Sequence, residues 1–341
     1  MRWEFIVRRL VLLPFVLFGL ALLVFIISHV IPSNPAYIWA GYSQYQAEPE
    51  LIQAAIIRYH LNEPIPIQFF YYLRDLLSGN FGVSPVTQRP VIEDLAIYYP
   101  NTIELAIAAL LMAIVIGIPL GVLSAVKKDK IPDHASRLLS LLGMSMPAFW
   151  LGLLLQIIFY YNLGIFPAGG RIDQGLILDH PLQHVTGFLV LDSVLTLNWP
   201  AFASLIWHLV LPATTLALHL VALITRITRT SMLEVLNQGY ITNARAMGLP
   251  NRITIYRYAL KNAMLTIVTS IGSAFAWLLT GCVMTEIVFS WPGVGRYAVG
   301  AILAFDFPAL MAFVLLTGLI YVLVNLGVDV MYGVFDPRIR H

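Results

Sequence analysis

Uncharged apolar runs recur along the chain at lengths suited to crossing a bilayer. Six stretches contain no Asp, Glu, Lys or Arg: residues 10–31, 105–126, 138–163, 204–225, 262–285 and 307–328. All six reach the about 20 apolar residues that a helix needs to cover the hydrocarbon core. The pattern predicts an all-α membrane protein with six transmembrane helices. Pro147 falls in the third and longest run and predicts tilt or a kink there. The fourth run belongs to a longer uncharged stretch, 193–225, in which Pro200 and Pro212 obscure the outer boundary.

Arg8 and Arg9 precede the first run, as they would in a signal peptide. The run exceeds a signal core of about 7–15 residues, and no small-residue cleavage site follows before Pro32. It reads as an uncleaved first span. Basic residues then predict the orientation. With the N-terminus in the cytoplasm, the outside segments hold only Arg58, Arg74, Arg89, Arg171 and Arg296, and the rest of the 20 Lys and Arg residues lie inside. Both termini are expected in the cytoplasm.

This divides the chain into an N-terminal segment with the first helix (1–31), an extracytoplasmic loop or cap (32–101), a five-helix transmembrane core (102–333) and a cytoplasmic tail (334–341). The cap is acidic and rich in Pro and Tyr, and its stretch 49–72 has helical character interrupted by Pro64 and Pro66. A second outer segment covers 164–192. Residues 226–261 form the longest cytoplasmic loop, with Glu234 as its one acidic residue.

Composition narrows the function. The chain is 59% hydrophobic and 11% charged, with mean hydropathy +0.80; soluble domains carry about 25% charged residues. An ordinary soluble enzyme is excluded, and so is disorder. A net charge of +2 gives no reason to expect nucleic-acid binding. Cys282 is the only cysteine, so no intrachain disulfide forms, and it packs as a small hydrophobe.

Catalytic chemistry is sparse. No Gly-Lys dipeptide occurs, so there is no phosphate-binding loop of the GxxxxGK[ST] type, and neither HExxH nor GxSxG is present. Asp179, His180 and His184 have a spacing that could hold a metal on a helix turn, but Pro181 interrupts it and satisfied loop histidines are the plainer reading. His208 and His219 either bond between helices or face a cavity, burial against a neighbour being the plainer case. Ion-coupled transporters place carboxylates near the midplane. Here Glu104, Glu286, Asp306 and Asp329 lie at or outside the ends of the runs. That disfavours an ATP-independent secondary transporter, and the missing catalytic constellation disfavours a membrane-embedded enzyme.

The long cytoplasmic loop carries the clearest local pattern. Residues 227–236 extend the fourth span, and Asn237-Gln238-Gly239 breaks the helix. Thr242 is placed to cap a short helix that Gly248 and Pro250 stop, and Asn251 to cap the next one, 252–265. Ala244 and Gly248 are four apart and share a face, where small side chains would let another protein approach closely. Arg245 adds a charge for a carboxylate or carbonyl. Spacing alone favours a solvated, capped loop.

Two further elements are candidates. In the fifth run Ser270, Ser273, Trp277 and Thr280 recur at helical spacing. This stripe faces either a solute pathway or a neighbouring helix. Gln156, Thr214, Thr215 and Asn325 are weaker candidates of the same kind. Ser290, Trp291, Pro292 and Gly293 read as a tight outer turn, with Trp291 suited to the membrane interface.

The run 240–250, followed by Ala259-Leu260-Lys261-Asn262-Ala263-Met264-Leu265, resembles the cytoplasmic loop of type I ABC importer permeases, and most closely their dipeptide/oligopeptide branch. Similar matches are Arg8-Arg9-Leu10, Ile31-Pro32-x-x-Pro35, Gly79-Asn80-Phe81-Gly82-x-Ser84 and Ser145-x-Pro147-x-Phe149-Trp150. They continue with Thr186-Gly187-Phe188, Thr285-Glu286-x-Val288-Phe289-Ser290-Trp291-Pro292-Gly293-x-Gly295-Arg296 and Asp336-Pro337-Arg338. The chain departs from the branch at Thr242, Asn243, Met247 and Thr266.

The resemblance implies the type I permease fold and a multi-pass protein of a prokaryotic cytoplasmic membrane. It implies half of a solute pathway, a second homologous permease subunit, two ABC ATPase subunits and an extracytoplasmic solute-binding protein. No cofactor is expected on this chain; ATP and Mg belong to the partner ATPases. Tyr240, Ile241, Thr242, Ala244, Arg245, Ala246, Gly248 and Leu249 would form the docking loop, and 290–293 would help gate the outer mouth. Peptides are the expected solute, with oligosaccharides, nickel and opines as the branch's other cargoes.

Overall fold

A computed structural model describes residues 3–30, 36 and 49–335, and among them there is no β-strand beyond an isolated bridge between Val83 and Pro90. Two long helices, Val91–Val126 and Trp199–Leu236, make the most extensive pairing in the bundle. Small side chains explain how they come so close. Ala109, Ala113, Gly117, Gly121 and Ala125 recur every four residues and are buried. A Cβ on Gly117 would lie 3.0 Å from the Ile224 side chain, and one on Gly121 would lie 2.8 Å from the Thr225 carbonyl oxygen. Such ladders of small residues let membrane helices pack by direct backbone approach. Thr225 Oγ1 adds a bond to the Gly117 carbonyl at 3.3 Å.

At 36 and 38 residues and about 1.5 Å per residue, both helices outrun a hydrocarbon core of about 30 Å. They therefore extend past the membrane. The second expected span begins at Val91, well before residue 105, and the fourth begins at Trp199, with Pro200 in its first turn and Asn198 capping it through Ala201 N at 3.2 Å.

Among the described residues, five helices are long and apolar enough to cross a membrane, or six when one bent pair counts as a span. That pair corrects the expectation of a merely tilted or kinked third helix. Ile131–Ser145 and Ala148–Asn162 meet at a 105° bend, with Met146 extended and Pro147 opening the second piece. Proline lacks the N–H and disfavours helical backbone in the residue before it. The fifth expected run is also divided. Lys261–Gly281 ends at Cys282, and a separate helix, Val283–Val288, follows. In the cap, the helices Pro49–Arg58 and Ile65–Leu77 are separated as expected, with Pro64 just before the second and Pro66 in its first turn. This agrees with proline's preference for first-turn positions.

Helix Val294–Leu303 and the last span, Phe307–Phe335, pack against each other. The first helix, Trp3–Phe25, packs on that last span. The motifs 31–35 and 336–338 lie outside the described residues, as do the side chains of Arg8, Arg9, Leu10 and Asp329.

Candidate functional site

The loop after Trp199–Leu236 holds a helix of eight residues, Gly239–Ala246. Gln238 occupies the position before it without a side-chain cap, and Thr242 sits within the helix. The expected Thr242 cap is therefore absent, as is the Asn251 cap: Asn251 is the first residue of its helix, and Pro250 precedes it. The C-terminal stop at Gly248 is present. Gly248 N bonds the Arg245 carbonyl at 3.0 Å and Leu249 N bonds the Ala244 carbonyl at 3.2 Å. With φ of +77° at Gly248, these two bonds form a Schellman closure, which favours glycine.

Ile241 and Ala244 are buried, Ile241 in a cluster with Val122, Ala125, Met232, Ala259, Ala263 and Ile267. This overturns the shared outer face proposed for Ala244 and Gly248: Ala244 points into its own chain. The outward surface carries Tyr240, Thr242, Arg245, Ala246, Met247 and Gly248, with Met247 74% exposed and Leu249 half-buried. The short helix thus rests on the ends of Val91–Val126 and Trp199–Leu236 and on residues 259–267, and presents a mixed polar and apolar face.

In Lys261–Gly281, Ser270 is half-buried, while Ser273 and Trp277 are exposed. The side chain of Thr280 lies outside the described residues. Ser270 Oγ donates to the Thr266 carbonyl at 2.9 Å and Ser273 Oγ to the Thr269 carbonyl at 3.2 Å. Trp277 stacks on His219 with ring centroids 5.3 Å apart. The stripe is therefore on the surface of this chain, its hydroxyls satisfied within the helix. Gln156 has a different role. Its Nε2 donates to the Ala168 carbonyl at 2.6 Å and the Val288 carbonyl at 3.1 Å, tying the bent pair to the turn. Thr215 Oγ1 and Asn325 Nδ2 each bond a carbonyl one turn back on their own helix.

The turn 290–293 is built around buried charge. Trp291 is fully buried, contrary to the expected place at a lipid interface. Its Nε1 donates to the Asn101 carbonyl at 3.0 Å, and the Arg171 guanidinium lies 4.3 Å above its ring. Arg171 pairs with buried Glu104 and bonds Asn101 Oδ1 at 3.3 Å. Asn101 Nδ2 donates to the Pro292 carbonyl at 3.0 Å. Glu286, also buried, accepts from Thr102 Oγ1 at 2.6 Å and from Arg296 N at 2.9 Å. A Cβ on Gly293 would run into the Glu286 carboxylate. Ser290, with φ of +49°, stays exposed.

The sequence reading assigned no role to Arg171, Asn101 or Glu104 in this turn. These residues sit at the end of Val91–Val126 opposite the Gly239–Ala246 helix. Asn101 and Val122 are separated by roughly 30 Å of helix.

The chain matches the family described as binding-protein-dependent transport system inner membrane component over residues 117–341, and the N-terminal part of such membrane components over residues 2–106. The probable D,D-dipeptide transport system permease protein DdpB of Escherichia coli K12 is 45% identical, over 99% of this chain and 97% of its own. The dipeptide transport system permease protein DppB of the same strain is 39% identical over 99% of both. The glutathione transport system permease protein GsiC of Salmonella choleraesuis is 34% identical over 99% of both. Among solved structures, a chain of the inward-facing MetNI methionine ABC transporter shares the fold. It has TM-score 0.51 and 16% identity, covering 69% of this chain and 93% of that one. This chain belongs to the binding-protein-dependent transport system inner membrane components, multi-pass permeases of bacterial ABC importers.

Proposed function

We infer that this chain is one of two permease subunits of an importer for dipeptides and short oligopeptides. The N-terminus faces the cytoplasm, and ATP and Mg are handled by two separate ATPase subunits. The observation that carries the coupling half of this reading is the Gly239–Ala246 helix. Its inner face is fixed by Ile241 and Ala244, so an ATPase that grips Tyr240, Arg245 and Met247 displaces two long helices with it. The solute follows the named relatives, permeases for D,D-dipeptides, dipeptides and the tripeptide glutathione.

A second homologous permease completes the pathway, and half-buried Ser270 with exposed Ser273 and Trp277 is its candidate lining on this side. A solute-binding protein outside the membrane delivers the peptide to the 290–293 turn, which serves as the outer gate.

The test is uptake of labelled L-alanyl-L-alanine and D-alanyl-D-alanine by cells expressing the complete complex. Competition by nickel ion, an oligosaccharide, an opine and glutathione defines the solute class. Peptide uptake that requires a functional ATPase supports the reading. Uptake of nickel, sugar or opine with no peptide uptake refutes the solute, and uptake that persists without the ATPase subunits refutes the coupling.

A further inference from the structure

A second buried cluster lies near the Gly239–Ala246 helix, and neither the proposed function nor the sequence motifs account for it. Asp133, on helix Ile131–Ser145, is completely buried. Its Oδ1 accepts from Ser124 Oγ at 2.5 Å and Arg229 Nε at 2.6 Å, and its Oδ2 accepts from Arg137 at 2.5 Å, Arg229 at 3.0 Å and Asp129 N at 2.9 Å. One carboxylate thus binds the end of Val91–Val126, the turn after it, its own helix and the helix Trp199–Leu236. Arg229 meets it with two nitrogens on two oxygens, the fork geometry that fixes direction as well as distance.

Position gives the cluster its meaning. Arg229 lies two turns before the end of the helix that leads into Gly239–Ala246. Asp133 lies in the first turn of the helix that becomes the bent pair. Beside the cluster is a cleft of about 340 Å³, lined by Ser124, Ser136, Arg137, Thr225 and Arg229. The charged fork, not close packing alone, therefore holds the two helices together at this end.

Beyond the 105° bend the second piece reaches the outer turn. Gly152 packs against the Phe289 ring, where an added Cβ would lie 3.0 Å away, and Gln156 bonds the Val288 carbonyl. Phe289 in turn accepts from Gly170 N at 2.8 Å, one residue before Arg171.

We propose that Asp133 is a positioning residue that passes movement of the ATPase-docking helix, through Arg229 and the bent pair 131–162, to the 290–293 turn. The proposal rests on the importer reading above. Its physical content is a contiguous set of contacts with a charged link at the start, and such a route is established only by measured coupling.

The experiment uses the complete complex in lipid nanodiscs, in a Cys282→Ala background with Ser290→Cys as the reporter. The rate of modification by a membrane-impermeant thiol reagent is read with and without ATP, beside ATP hydrolysis and ATPase co-purification. In the complex with native Asp133, the rate at position 290 changes with ATP. Asp133→Asn keeps the ATPases bound and unstimulated hydrolysis within about twofold, and reduces the ATP-dependent change at position 290 at least tenfold. Arg229→Gln does the same, the double variant loses no more than either alone, and Arg229→Lys retains part of the response.

Full retention of the ATP response in Asp133→Asn overturns the proposal, as does additive loss in the double variant. Absence of any ATP response with native Asp133 overturns the importer reading and this relay with it. Should Asp133→Asn fail to assemble, Arg229→Lys and Arg229→Gln decide on the same measurements, and a full response in both overturns the relay.

Discussion

Ile241→Ala separates the seating of the short helix from its docking surface. The native side chain is 0% exposed, and the substitution removes three carbons from a site beyond the spans, where burial is a transfer from water. At about 0.8 kcal/mol per buried carbon the loss is about 2.4 kcal/mol. Measured truncations of this kind fall at about 2–5 kcal/mol because the cavity closes incompletely. Only Ile241 and Ala244 of the eight helical residues are buried, so little else compensates. At about 1.4 kcal/mol per factor of ten, a loss of about 2.4 kcal/mol makes the seated helix about 50-fold less favoured over its released state. Amide hydrogen exchange across 239–249 reads this directly, with co-purification of the ATPases as the functional measure. Faster exchange and weaker ATPase retention are expected. Met247→Ala, on the exposed face, should weaken ATPase retention while exchange stays unchanged. Unaltered exchange in Ile241→Ala would show that the inner face does not seat the helix, and the reasoning would fail.

Gly248→Trp has open space around it but forces a bulky residue to φ of +77°; about 1–2 kcal/mol of backbone strain is expected, with solute uptake and ATPase co-purification both falling while membrane insertion persists. Arg171→Ala leaves the buried Glu104 carboxylate unpaired and should destabilise the chain by about 3–5 kcal/mol, whereas Arg171→Met with Glu104→Leu should recover most of it, as seen in thermal unfolding in detergent. Single cysteines in a Cys282→Ala background should be modified on intact cells by an impermeant reagent at Asp179 and not at Lys128 or Asn243; modification at Lys128 alone would invert the topology. The purified chain should hydrolyse no ATP until the ATPase subunits are added, as read by phosphate release.

The spans were legible because desolvating charge in a bilayer is costly, so uncharged runs of sufficient length report themselves. What those runs conceal is direction. Val91–Val126 is apolar on nearly every side, and the four-residue ladder from Ala109 to Ala125 was not distinguished there, although its spacing is plain once the partner helix is seen. The same limit applies to Ala244 and Gly248. Their separation placed them on related faces, but spacing does not say whether a face points to a partner or into its own chain. Pro147 marked the break in the third span without its angle, because the angle depends on how Gly143 and Gly152 pack against distant elements. Trp291 suited a lipid interface by type, yet its N–H is satisfied by a carbonyl 190 residues away. Arg171 with Glu104 and Arg229 with Asp133 are separated by 67 and 96 residues. Local pattern holds no signal for such pairs.

The placement of these groups makes physical sense of a machine that must move without loosening its centre. Between the long helices glycines and alanines of Val91–Val126 lie against Thr225, Thr228 and Ile224, so close that a carbon added at Gly121 collides with backbone. Such a contact is close-packed and transmits displacement rather than absorbing it. Charge is absent from this stretch of the pairing and concentrated at its two ends. Arg229 and Asp133 meet beside a cleft at one end, and Arg171, Glu104 and Glu286 surround the turn at the other. A directional hydrogen-bonded ion pair holds one geometry and releases abruptly, unlike an apolar surface that slides. Discrete rearrangement at both ends of a stiff middle is the behaviour that alternating access to one pathway requires.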